Sequence, residues 1–228
     1  TFIKIRELAL KNLKDLDFPT KKLENWKYTN LRGISKIEFR PQSAINIIAE
    51  KVKAHKIPNL DAYTLVFVNG FFSPEFSDTA EEKDGKFVVT NLNTAKKKFI
   101  KFVEPYLGFQ KRAKDQFFVN LNSAFSQDGA FVYVKAQQKL DKPVHIINLV
   151  DGDLVAAYPR NLIVAEKLSE AQVVVSYETI DTASALSNVI NEVFVAEGAH
   201  VQMDKIQKPQ HQVLSPFRTL QIVNCLLK

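Results

Sequence analysis

Cysteine is all but missing from this 228-residue chain: Cys225 stands alone, so no internal disulfide can form. That composition points to a reducing, cytoplasmic setting. No apolar run approaches the roughly 18 residues that a transmembrane helix needs. The opening TFIKIRELALKNLKDLDF lacks the apolar block and small-residue cleavage site of a secretory signal, so no leader is expected. Motifs for nucleotides and metals are missing too: there is no P-loop, GxGxxG, HExxH or paired-cysteine zinc pattern. The four histidines, His55, His145, His200 and His211, are not spaced as ligands. His145 alternates with apolar neighbours in VHII and reads as a satisfied core histidine, whereas His211 in KPQHQ reads as exposed. One thiolate cannot hold an iron–sulfur cluster, so Cys225 is at most a weak thiol candidate and reads as a small buried apolar residue. No catalytic, cofactor-binding or metal-binding set is expected, and no cofactor bound by this chain alone.

What is present is an ordinary globular composition, 46% hydrophobic and 25% charged, long enough to bury a core without staples. The net charge of +6 is uneven. Residues 1–60 hold 13 Lys/Arg against 6 Asp/Glu, a balance of +7; the remaining 18 against 19 give −1. Such a front half invites a nucleic-acid-binding module as one reading. Its lysines are scattered along helical patterns, however, without the dense blocks of a basic arm.

Ile5, Leu8, Ala9, Leu13 and Leu16 are spaced as one face of a helix that Pro19 ends. Thr20 is placed to cap a second helix from near Lys21, and residues 43–55 suggest another. From Tyr63 the period changes to strands, with Asn69-Gly70 as a tight hairpin turn. Asn93 or Thr94 is expected to cap a helix running to about Leu107, with Phe99, Phe102 and Val103 buried. Beyond residue 117 helical periodicity nearly vanishes, and seven strand-like runs follow, from AFVYV at 130–134 to FRTLQIV at 217–223.

A repeat is visible among them. LIVAEKLSEAQVVV is echoed by VFVAEGAHVQM, with Val-Ala-Glu recurring 31 residues apart and Ala-x-Val 28 apart. This alignment sets His200 in the place of Gln172, an outward polar position. Two short strands per copy at a period near 30 suggest a β-solenoid, with an antiparallel sandwich as the alternative. The repeat favours the solenoid, since stacked coils place like on like and let turns vary. Seven glycines and no nonapeptide motif argue against a calcium-binding β-roll.

The one tryptophan, Trp26 in KKLENWKYTNL, reads as a buried anchor where the front helices meet the strands. PTKKLENWKYTNL (19–31), LVFVNGFFSPEFS (65–77), NLNSAFSQDGAFVYV (120–134) with KPVHIINL (142–149), and PRNLIVAEKLSEAQVVVSYE (159–178) with EGAHV (197–201) occur in one order. Together these segments resemble the SufB/SufD family of iron–sulfur cluster assembly proteins, on its SufD side. Within them Glu24, Trp26, Tyr28, Asn69, Gly70 and Asn161 are signature positions, structural or family markers with no catalytic role.

The resemblance implies a mainly β protein with an N-terminal α/β region: residues 1–116 helical and α/β, and residues 117–228 a right-handed parallel β-helix, incomplete at its C-terminal end. It implies a scaffold subunit without turnover in a SufBCD complex, paired through the β-helix with a SufB-like paralogue. A SufC-like ATPase would join only if a C-terminal helical domain is present. The cluster belongs to the assembled complex, and neither nucleic acid nor membrane is an expected partner. The family continues past the counterpart of Lys228, so no cluster or ATPase-binding residue transfers. A chain that truly ended there would expose a strand edge and is expected to form homodimers or aggregate. A carbohydrate-active β-helix enzyme is the remaining alternative, with Asp151, Asp153 and Glu178 its unconvincing carboxylates.

Overall fold

The computed structural model describes residues 2–29, 31–40, 47, 49–82, 85–107, 115–180, 184–207 and 220–227, with Phe2 and the last segment described as backbone. No helix among them is long and apolar enough to cross a membrane.

The first helix, α1 (Phe2–Asp15), follows the expected stripe, with Ala9 fully buried and Leu8 still 46% exposed. The segment after Pro19 corrects expectation, because the second helix reduces to a single 3-10 turn at Glu24–Trp26. Its backbone bonds all reach three residues back: Leu23 to Thr20, Trp26 to Leu23, Lys27 to Glu24 and Thr29 to Trp26. Bonds of that span tighten the chain and seldom propagate. Of the helix expected at 43–55, the described part is α2 (Ala49–Lys53).

The strands are β1 (Tyr63–Val68), β2 (Phe71–Phe72), β3 (Ala80–Glu81), β4 (Phe87–Asn91), β5 (Ala130–Val134), β6 (Val144–Asp151), β7 (Val155–Ala157), β8 (Arg160–Ala165), β9 (Glu170–Ile180), β10 (Ala185–Val195), β11 (His200–Gln207) and β12 (Leu220–Leu227). They form two mixed sheets, a five-stranded one in the order β11-β9-β6-β1-β2 and a seven-stranded one in the order β12-β10-β8-β5-β4-β3, with β7 beside β10. From β8 to β12 the chain alternates between the sheets, and every pairing among those strands is parallel. Among the described residues, antiparallel pairs occur only at the other end of each sheet, at β1–β2, β3–β4 and β4–β5. Strands from both sides of residue 116 share sheets, since β1 pairs with β6 and β4 with β5.

The repeat is real, but its register differs from the one read by residue type. Val195 lies opposite Ala165 and Gln202 opposite Gln172, an offset of 30 in both strands. His200 therefore faces Glu170 rather than matching Gln172, and it is exposed. Matching by identity aligned similar side chains, while backbone pairing sets the true offset; a one-residue slip from that pairing, as from 30 to 31 here, would reverse which face each residue occupies.

Side chains alternate across both sheets. Leu65, Phe67, Val132, Ile146, Ile163, Val173, Val175 and Val189 meet between them. The outer face of the five-stranded sheet, through Val66, Val68, Ile147 and Leu149, packs on Val52 of α2. The seven-stranded sheet is covered by α3 (Leu92–Lys98), α4 (Ile100–Val103) and α5 (Phe117–Phe125). The continuous helix expected to Leu107 breaks at Phe99 (φ −124°, ψ 33°), which lets Phe99 and Phe102 both reach the Phe131–Tyr133 surface. Helix α5 stands in the stretch where helical periodicity nearly vanishes.

Candidate functional site

Polar side chains concentrate where α5 meets β8 and β10. Arg160 on β8 and Glu192 on β10 form an ion pair, 2.6 Å from Nη2 to Oε1 and 3.3 Å from Nε to Oε2, with exposures of 5% and 0%. The guanidinium's remaining nitrogen donates to Ser123 Oγ at 2.8 Å and Asn122 Oδ1 at 3.3 Å on α5. Asn122 in turn donates to the Pro159 and Asn188 carbonyls, both at 2.8 Å, and Asn188 donates to the Phe118 carbonyl. A buried charge pair is tolerable when its donors are used in this way.

A second relay crosses the interior. The Ala130 N–H donates to Asn161 Oδ1 at 2.8 Å, which fixes the orientation of that amide. Asn161 donates to Asn191 Oδ1 at 2.8 Å, and Asn191 donates to the Tyr177 hydroxyl at 3.0 Å. Tyr177 belongs to β9, so the relay joins the two sheets.

Asp128 organises the entry to β5. Its Oδ1 accepts from the N–H groups of Asn93 and Gly129, both at 2.9 Å, and its Oδ2 accepts from Asn91 at 2.7 Å. The cap of α3 thus comes from a residue distant in sequence, not from Asn93 or Thr94. Burial raises the Asp128 carboxyl above its usual range, against the opposing pull of these three bonds and of Lys96. Burial likewise lowers the Lys96 ammonium, with Asp128 acting against it.

On the five-stranded sheet, His55 Nδ1 pairs with Glu178 Oε2, and Lys51 Nζ lies 3.8 Å from Asp151 Oδ2. Both carboxylates therefore anchor α2 and its C-terminal turn, and neither forms an acid–base couple for sugar chemistry. His145 Nε2 and Ser176 Oγ are 2.8 Å apart, the spacing of a base and a nucleophile. At 2% and 1% exposure they offer a substrate no approach, so the expected core histidine is what the structure contains. Among the described residues no group of three or more His, Cys, Asp and Glu could hold a metal ion.

The signature positions divide into two kinds. Asn69 (φ 52°) and Gly70 (φ 83°) form the hairpin turn between β1 and β2, both in the left-handed region that this two-residue loop requires. Asn69 also acts as a false strand residue: its amide donates to the Asp151 carbonyl at 3.0 Å and accepts from the Asp151 N–H at 2.9 Å. Asn161 is the centre of the interior relay. Trp26, expected to be largely buried where the front helices meet the strands, is partly buried against the cluster of Leu31, Phe118, Ala156 and Leu186, with its ring 5.1 Å from that of Phe118. Glu24 is exposed and Tyr28 is 91% exposed, so packing explains neither. The backbone of Cys225 pairs with Asn191; its side chain, like His211, lies outside the described residues. Sequence reasoning missed Arg160, Glu192 and Asp128, which gave no local signal.

These buried polar ties link β8 to β10, α5 to the seven-stranded sheet, and the two sheets to each other. Residues 1–146 match the SufBD protein N-terminal region, and residues 145–219 match the SufBD core domain of the SUF system for FeS cluster assembly. The chain belongs to the SufBD family of iron–sulfur cluster assembly proteins. It is 29% identical over 206 residues to an iron–sulfur cluster assembly SufBD family protein of Synechocystis sp., covering 86% of this chain and 45% of that one. The iron–sulfur cluster assembly proteins SufD of Bacillus subtilis and Escherichia coli are each 29% identical, over 205 and 202 residues, again covering 86% of this chain and 46% and 44% of theirs. The chain thus spans about half the length of these relatives.

Proposed function

We propose that this chain is the N-terminal and core portion of a SufD-like scaffold subunit, acting in a SufBCD-type complex and performing no turnover itself. The observation that carries the reading is the ordered match of both family regions along nearly the whole chain, joined to similarity with two proteins named SufD. The alternation of parallel strands between sheets at an offset near 30 supports a right-handed parallel β-helix. Its walls offer the surface through which a SufB-like paralogue pairs. A SufC-like ATPase engages only through a C-terminal domain, and the iron–sulfur cluster is cargo of the whole complex rather than a resident of this chain. Nucleic acid and membrane are not among the partners. The near absence of cysteine supports a cytoplasmic location.

The test is co-expression of the full-length protein with a SufB-like and a SufC-like protein, followed by size-exclusion chromatography and mass measurement. One stoichiometric complex is expected. Elution of the full-length protein by itself, away from both partners, overturns the proposal.

A further inference from the structure

A cleft of about 900 Å³ lies between residues 17–23 and 31–35, in the region of Trp26, and none of the internal ties described above reaches it. Its size falls within the usual range of binding clefts. Both walls are hydrogen-bonded turns: Leu23 N–H donates to the Thr20 carbonyl at 3.0 Å, and the N–H groups of Ile34 and Ser35 donate to the Leu31 carbonyl at 3.0 and 3.1 Å. The cleft is therefore shaped in advance. Leu31 (3% exposed) and the partly buried Phe18 give it an apolar lining. Leu23, 52% exposed, adds an apolar side chain that packing leaves in water. Around them stand three exposed cations, Lys21, Lys22 and Arg32, against one carboxylate, Asp17.

We propose that this cleft binds an acidic peptide segment of a partner protein, with an aliphatic side chain of that segment seated on Phe18, Leu23 and Leu31. Charge complementarity selects the acidic character, and the apolar lining selects the anchor. A nucleic acid strand fits less well, since it needs a row of cations along its backbone and free ring faces for its bases. The ring of Phe18 is engaged edge-on by Phe117 and Phe118, at 5.3 and 5.8 Å. Phe118 also touches Trp26, so occupancy of the cleft has a built-in optical reporter. The interaction is independent of pairing through the sheets and stands whether or not the complex proposed above forms.

The experiment uses the full-length protein and a fluorescein-labelled nonapeptide of glutamates with two central leucines. Anisotropy is expected to report saturable binding, accompanied by a shift in Trp26 emission. An all-glutamate nonapeptide should bind at least tenfold more weakly. The variant Lys21→Glu/Lys22→Glu/Arg32→Glu should weaken binding of the leucine peptide at least tenfold, while Lys4→Glu/Lys14→Glu on α1 changes it less than twofold. All replaced side chains are solvent-facing, and circular dichroism checks that the fold survives. Leu23→Asp, which leaves the cations in place, should also weaken binding at least tenfold. Equal binding of the two peptides, indifference to the cleft variants, or absence of binding overturns the proposal. So does tighter, cleft-dependent binding of a thymidine oligonucleotide or of phosphatidylserine vesicles, which would assign the cleft to nucleic acid or lipid.

Discussion

Each sheet carries a helix on its outer face and an ion pair beside it, yet the two ties are built differently. Beneath α5 both charges belong to strands: Arg160 on β8 reaches diagonally to Glu192 on β10, two residues beyond its direct neighbour Ile190, and the helix supplies only neutral acceptors. Beside α2 the partner comes from the turn after the helix, where His55 pairs with Glu178 while 19% of its side chain stays exposed. The first tie is closed to water and fully coordinated; the second reaches the surface. A buried pair adds little net stability over an apolar replacement, but it punishes any arrangement that leaves one charge alone. The seven-stranded side is thus specified by its polar core. The five-stranded side relies more on the apolar contact of Val52 with Val66, Val68 and Ile147.

The largest effect is expected on the closed tie. Glu192→Ala leaves Arg160 buried without its counter-charge and should cost about 3–5 kcal/mol in urea unfolding. The double change Arg160→Met/Glu192→Leu removes both charges and should recover most of that loss. A single variant less than about 1 kcal/mol below wild type would show that water or a shifted side chain rescues Arg160.

Gly129→Ala attacks the same side through the backbone. A Cβ at residue 129 would stand 1.9 Å from the Arg160 carbonyl oxygen and 2.7 Å from its amide nitrogen, so β8 must move. A cost near 3 kcal/mol is expected, at the upper end for overpacking, because the neighbour is main chain and cannot rotate away. Thermal unfolding measures it, and an unchanged Tm would contradict the close approach.

The open tie should be weaker. His55→Ala removes the partner of a buried carboxylate that has solvent nearby, and about 1–3 kcal/mol is expected. Hydrogen exchange should quicken in α2 and the neighbouring part of β9 while α5 stays protected. A loss matching that of Glu192→Ala, or one spread over both sheets, would erase the distinction between the two sides.

These residues also mark how far the sequence could be read. Asn69-Gly70 was legible because a two-residue turn is local chemistry. The strands and their period near 30 were legible from alternation, and the family from its ordered segments. Helix α5 is hidden from periodicity because its buried residues include Asn120, which meets Asn12 of α1, and Asn122 and Ser123, which face the sheet and bond Pro159, Asn188 and Arg160. An apolar stripe was the signal sought, and here polar groups share that buried face. Arg160 and Glu192 lie 32 residues apart in the sequence, and only the register of 30 between their strands brings them together. The burial of Trp26 is set by Phe118, an aromatic neighbour far along the chain that no local pattern could supply.

The smallest expected effect separates burial from hydrogen bonding as the source of rigidity on the seven-stranded side. Burial raises the Asp128 carboxyl, while Asn91, Asn93, Gly129 and Lys96 favour its charged form. With the folded value above the ordinary one, the native state holds a proton more tightly than the unfolded chain. This contribution to stability is then full below about pH 4 and is lost as pH rises through the folded value. Asp128→Asn removes that titration but keeps an oxygen for the N–H groups of Asn93 and Gly129. Its own amide then meets the Asn91 donor, an offset of about 1 kcal/mol that does not vary with pH. The stability of wild type minus that of the variant should therefore fall as pH rises from about 4 through the folded value of the carboxyl. A difference that grows with pH would mean that the three hydrogen bonds outweigh burial, and that Asp128 holds α3 as a carboxylate throughout.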